Sequence, residues 1–154
     1  MSALVVYESH YGNGQRIAAA IADELGTHAL PVADAPDLLP IDIDLLVAGG
    51  PTHGLTLSTE ASRAIAHAAG GADGVGGLAD WLRTVAVGPP PRVALFTTHS
   101  SPLSGSAAKA AKRLLARRGV PTDTVAAFLV HGQPGPLKDG EIERARDWAR
   151  SLRL

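Results

Sequence analysis

Residues 3–26, ALVVYESHYGNGQRIAAAIADELG, hold a complete strand–turn–helix unit, and its reading decides the fold. Ala3 to Tyr7 is a continuous apolar, β-branched run, the pattern of a strand buried on both faces and therefore central in its sheet. After a small polar turn containing Gly12 and Gly14, Ile17, Ile21 and Leu25 recur at helical spacing with alanines between them. Gly26 then stands where a helix C-cap is expected.

Outward from this unit the same alternation repeats. A weaker strand is predicted over 28–32, and Leu45 to Ala48 forms a third strand that runs into a loop at Gly49-Gly50-Pro51. Residues 58–86 read as helix interrupted by Gly70, Gly71, Gly74, Gly76 and Gly77, which follow no strand and so mark a joint rather than a nucleotide loop. Val93 to Phe96 is the fourth strand, Ser104 to Arg118 an Ala-rich helix closed by Gly119, Val125 to Val130 the fifth strand, and Glu141 to Leu152 the last helix. Strands alternating with helices imply an α/β three-layer sandwich around a five-stranded parallel sheet, here with the expected order 2-1-3-4-5. The 154 residues suit a single domain.

Composition narrows the chemistry. With no cysteine there is no disulfide, thiolate nucleophile or Cys-ligated metal, so a redox role needs an added cofactor. No apolar run approaches the roughly 20 residues of a membrane span, and a cytoplasmic protein is expected, with no membrane partner. Net charge is -1, but residues 1–103 carry 4 basic and 10 acidic side chains and residues 104–154 carry 10 and 5. The basic excess sits at helical spacing, as on solvated faces, so no nucleic-acid partner is expected.

In such sheets ligands bind beyond the carboxyl ends of the strands, where strand order reverses. The turn Glu8-Ser9-His10-Tyr11-Gly12-Asn13-Gly14-Gln15 opens directly onto a helix, and exposed amides backed by the helix dipole make an anion site. This stretch, YESHYGNGQRIAAAIADEL, resembles the phosphate loop of the flavodoxin family, roughly (S/T)-x-T-G-x-T, with Ser9, Gly12 and Asn13 matching. DLLVAGGPTHGLTLS (44–58) is similar to the second flavin-contacting loop of that family, and TTHSSPLSGSAAKAAKRLLARRG (97–119) falls where the third begins. The resemblance covers essentially the whole chain and points to a divergent branch of the family.

The resemblance implies FMN as cofactor. Ser9, His10, Tyr11, Gly12, Asn13, Gly14 and Gln15 would surround its phosphate, and Pro51, Thr52, His53, Gly54 and Leu55 with Thr97, Thr98, His99 and Ser100 would flank its ring. Two positions depart from the pattern: Tyr11 replaces a threonine, and Gly14 removes the last hydroxyl. One lost hydrogen bond to a charged group costs about 1.5–3 kcal/mol, roughly ten- to two-hundredfold in affinity. Neither ring-flanking loop holds Trp, Tyr or Phe, while Trp81 and Trp148 fall on apolar helix faces and are expected in the core. Three functions stay open: an FMN-binding electron carrier serving an unidentified redox protein or small acceptor, an FMN-dependent quinone or NAD(P)H oxidoreductase, and a flavin-free binding module. No side chain is assigned as catalytic.

Four histidines, His10, His53, His99 and His131, fall at the carboxyl ends of strands one, three, four and five. Those strands span roughly 14 Å, so one ion would engage two or three of them at most. No acidic residue obviously joins them, and the expectation is a polar binding rim with no metal. A phosphoacceptor receiver domain shares the strand order but needs an aspartate ending strand three and a lysine after strand five, where Gly49-Gly50-Pro51 and His131-Gly132 stand instead.

Overall fold

A computed structural model of the chain describes residues 1–53, 57–71, 76–100, 107–132 and 134–153. Its elements run β1 (Ala3–Tyr7), α1 (Asn13–Leu25), β2 (Ala29–Pro31), a 3-10 turn (Val32–Asp34), β3 (Leu45–Pro51), α2 (Glu60–Ala68), α3 (Leu78–Thr84), β4 (Arg92–His99), α4 (Ala107–Arg117), β5 (Thr124–Leu129) and α5 (Glu141–Leu152). All strand pairs are parallel and the order is β2-β1-β3-β4-β5, as predicted.

Successive strand residues point to opposite faces, and this divides the core in two. Val5, Leu45, Val47, Ala94, Phe96 and Phe128 pack under α1 and α5 against Ile17, Ile21, Ala145, Ala149 and Leu152. Val6, Leu46, Ala48, Val93 and Leu95 face the other way, against Leu78 and Leu82 of α3 and Ala107, Ala111 and Leu115 of α4. The strands are apolar without alternation because both faces are covered. Trp81 belongs to the second core, with Nε1 donating to the Pro36 carbonyl at 2.8 Å, and Trp148 packs against the first.

Local signals placed most ends. Gly26 closes α1 in the left-handed region (φ 70°), which carries little cost only for glycine. The predicted stop of β3 at Ala48 is corrected: the strand continues through Gly49 and Gly50 to Pro51, paired with Phe96, Thr97 and Thr98 of β4. Gly49 is a packing glycine, since a Cβ there would drive into the Phe96 ring. The predicted start of α4 at Ser104 lies outside the described residues, within which the helix begins at Ala107.

Candidate cofactor-binding cleft

The ends of β1, β3, β4 and β5 converge on one cleft, which Ser9, His10, Tyr11, Asn13, Gly14, Pro51, Thr52, His53, Thr98, His99 and Ser100 line together with Glu8 and Val130. Of the expected site residues, Gly12 and Gln15 face a neighbouring groove with Arg16, and Thr97 is fully buried behind the cleft. Gly54 and Leu55 lie outside the described residues.

The first turn is held from several sides. β1–β3 pairing extends one residue beyond Tyr7 through Glu8 N–H to Gly49 O (2.9 Å). Ser9 Oγ accepts from the Gly12 amide (3.1 Å), Tyr11 donates its hydroxyl to the Ala66 carbonyl (3.2 Å), and Asn13 Nδ2 donates to the Pro134 carbonyl (3.2 Å). Gly12 sits in the left-handed region (φ 94°) as the N-cap of α1 and offers no side chain to cap it. The first-turn amides of α1 therefore lack the side-chain acceptor that usually satisfies them, the condition for anion binding at a helix start. Gly14 has negative φ, so its backbone is open to other residues, although a Cβ would lie 3.2 Å from the Glu8 carbonyl oxygen.

The second and third loops are tied together at the rim. Thr52 N–H donates to Thr98 O (3.0 Å), the hydroxyls of Thr52 and Thr97 share a hydrogen bond of 2.8 Å, and the first amide of α4, on Ala107, reaches Thr52 Oγ1 at 3.4 Å. No Lys or Arg is among the described residues that line this cleft. An anion there would be held by amides and the α1 dipole, with Arg16 in the neighbouring groove.

Below this rim lies a cluster that the sequence reading did not assemble. The Glu8 side chain is fully buried and takes three partners: His10 Nε2 at 2.6 Å, the Leu78 amide at 2.8 Å and the Ser58 hydroxyl. Burial pushes its carboxyl upward, but the hydrogen bonds from His10, Leu78 and Ser58 outweigh that and hold it below the ordinary 4.5. The His10 and His53 rings stand 4.9 Å apart. Burial, then the charges of His10 and Arg63, lower the His53 pKa against an opposing pull from Glu8. His99 is lowered by burial and by Arg144, opposed by Glu141. The expectation that no acidic residue accompanies the histidines is corrected by Glu8, whose ligand atom lies with those of His10 and His53 inside 4.8 Å. His99 and His131 are not part of the cluster.

Several solved structures match over nearly the whole chain, among them three flavodoxins. Flavodoxin 1 from Bacillus cereus superposes with a TM-score of 0.65 at 16% identity, covering 97% of this chain and 95% of its own. The fold is flavodoxin-like. Flavodoxin 2 from the same organism gives 0.63 at 18%, covering 98% and 97%, and a flavodoxin from the domain Archaea gives 0.61 at 15%, covering 99% and 96%. No model of a protein family matches the chain, and no curated protein matches it either. At such identities the likeness shows the fold alone, and function must be argued from the cleft itself.

Proposed function

We propose that this flavodoxin-like chain binds FMN with its phosphate on the amides of residues 10–15, and serves as a cytoplasmic, single-domain electron carrier to a redox protein or small acceptor. The observation carrying this reading is the start of α1, where a left-handed Gly12 leaves the first helical amides without a side-chain cap beside the cleft. Ser9 and Asn13 shape the turn, and residues 51–55 and 97–100 would flank the ring. Bound flavin supplies one- or two-electron transfer, and the protein supplies binding, orientation and electrostatic tuning. The flanks favour a modest affinity, because Pro51, Thr52, His53, Thr98, His99 and Ser100 offer no aromatic ring other than imidazole for stacking.

The test is titration with FMN and with riboflavin, read by flavin fluorescence. Two charge-assisted hydrogen bonds to the phosphate are worth about 3–6 kcal/mol together, so riboflavin should bind at least about 100-fold more weakly. Equal binding of the two would overturn the phosphate assignment, and binding of neither would favour the flavin-free module.

A second reading, an FMN-dependent quinone or NAD(P)H oxidoreductase, draws on His53 and His99. Both line the cleft, and burial first of all lowers both pKa values from 6.5, which favours the neutral imidazole beside a bound substrate. Steady-state turnover of NAD(P)H or quinone with added FMN separates enzyme from carrier.

A further inference from the structure

We propose that Glu8, His10 and His53 form a site for one divalent transition-metal ion of the Zn2+ type on the floor of the cleft. This goes beyond the flavin reading and does not rest on it.

The donor set is the first argument. Two imidazoles and one carboxylate are a recurring ligand set for zinc and for non-haem iron, and a set without sulfur suits borderline ions rather than soft ones. Their ligand atoms all lie within 4.8 Å of one another. In a tetrahedral site with metal–ligand bonds near 2.0–2.1 Å, ligand atoms stand about 3.3 Å apart. The widest pair must therefore close by at most about 1.5 Å, and the Glu8–His10 pair, now at 2.6 Å, must open by about 0.7 Å.

The second argument is an incomplete hydrogen-bond inventory. The His10 side chain is 1% exposed, yet its Nδ1 has no partner. No described protein group engages this nitrogen, so the neutral ring can carry its proton on Nδ1 and offer the Nε2 lone pair to an ion in place of the hydrogen bond to Glu8. The third is the orientation of His53. Ser62 Oγ lies 2.9 Å from His53 Nδ1 and 3.1 Å from the Thr59 carbonyl; with the hydroxyl proton on that carbonyl, Nδ1–H would donate to Ser62 and Nε2 would keep its lone pair. A neutral imidazole fixed in one tautomer by a hydrogen bond from its other nitrogen is how metal-binding histidines are held. Three protein ligands leave a fourth position for water or a small anion.

The experiment uses the purified full chain at about pH 7.5. Zn2+ or, as a hard-cation control, Mg2+ is added in slight excess, unbound metal is removed by gel filtration, and retained metal is counted by mass spectrometry. One Zn2+ per chain and no Mg2+ are expected, with a Zn2+-dependent rise in melting temperature. His53→Ala should lose the ion, whereas His28→Ala, an exposed histidine outside the cleft, should keep it. Retention of no Zn2+ by wild type, or full occupancy in a folded His53→Ala variant, would overturn the site. Should His53→Ala fail to fold, Co2+ in wild type decides. Intense visible bands of four- or five-coordinate cobalt support the cluster, and a weak spectrum like that of the hydrated ion refutes it.

Discussion

Replacing Glu8 with Ala tests whether this carboxylate anchors the cleft. Its buried side chain connects the turn after β1 to the first amide of α3, 70 positions away, and also holds His10. The truncation removes all three hydrogen bonds; Ser58 keeps the one it accepts from Arg63 (3.0 Å), while the buried Leu78 amide and His10 ring lose their acceptor. Hydrogen bonds to a charged group are worth about 1.5–3 kcal/mol each, so two of them total about 3–6 kcal/mol. Removing a desolvated charge returns part of that, and a net loss of about 3 kcal/mol is expected. For a chain near 150 residues each kcal/mol moves the melting temperature by about 2–4 °C, so the drop should be about 6–12 °C. Urea melts monitored by circular dichroism give the free energy, and Glu8→Gln serves as the control. Glutamine keeps an acceptor for Leu78 and should cost less than half as much. A loss below about 1 kcal/mol for Glu8→Ala, or equal losses for both variants, would refute the anchoring role.

Gly14→Thr is compatible with the negative φ at this position, and the regained hydroxyl should tighten FMN binding about tenfold; the 3.2 Å approach to the Glu8 carbonyl should offset the helix-propensity gain, keeping stability within about 1 kcal/mol of wild type. Unchanged affinity in a variant that melts like wild type would count against the phosphate-turn reading. Gly49→Ala should destabilise by about 1–3 kcal/mol in a urea melt because its methyl displaces the Phe96 ring, and a neutral effect would show that the sheet relaxes freely there. The Glu141 carboxylate is held below 4.5 by the hydrogen bond from Arg144 and by the Leu129 amide, despite partial burial. Its contribution is therefore full above pH 4.5 and lost as pH falls through the depressed value; Glu141→Gln should show a shallower acid loss of melting temperature than wild type, and parallel curves would contradict this. Chelator dialysis should leave flavin binding unchanged, because backbone amides rather than the Glu8–His10–His53 cluster hold the phosphate, and flavin release on chelation would show the two sites to be one.

Much of the fold was legible because its signals are local. β1 and α5 match their predicted bounds: β1 is an unbroken apolar run, and α5 follows a glycine in the left-handed region and opens with Glu141 and Glu143. β3 was cut short for the opposite reason. Gly49, Gly50 and Pro51 carry the local signature of a loop, yet Gly49 pairs with Tyr7 on one side and with Phe96, 47 positions away, on the other, and the Phe96 ring leaves no room there for a Cβ.

The candidate site divides along the same line. Glu8 and His10, two residues apart, bond directly, and that part of the cluster was open to inspection of the turn. The pairing of His10 with His53 follows from the strand order, since β1 and β3 are neighbours about 4.8 Å apart, while β4 and β5 carry His99 and His131 progressively farther away. What no spacing rule supplies is the Leu78 amide, which arrives from the start of α3 and satisfies the buried carboxylate. Without it Glu8 would read as a surface residue of a polar turn, and the acidic member of the cluster stayed hidden for that reason. The physics of burial makes such a partner obligatory once the carboxylate is enclosed, so an ionised side chain at the end of a central strand calls for a search for its donors before it is assigned to solvent.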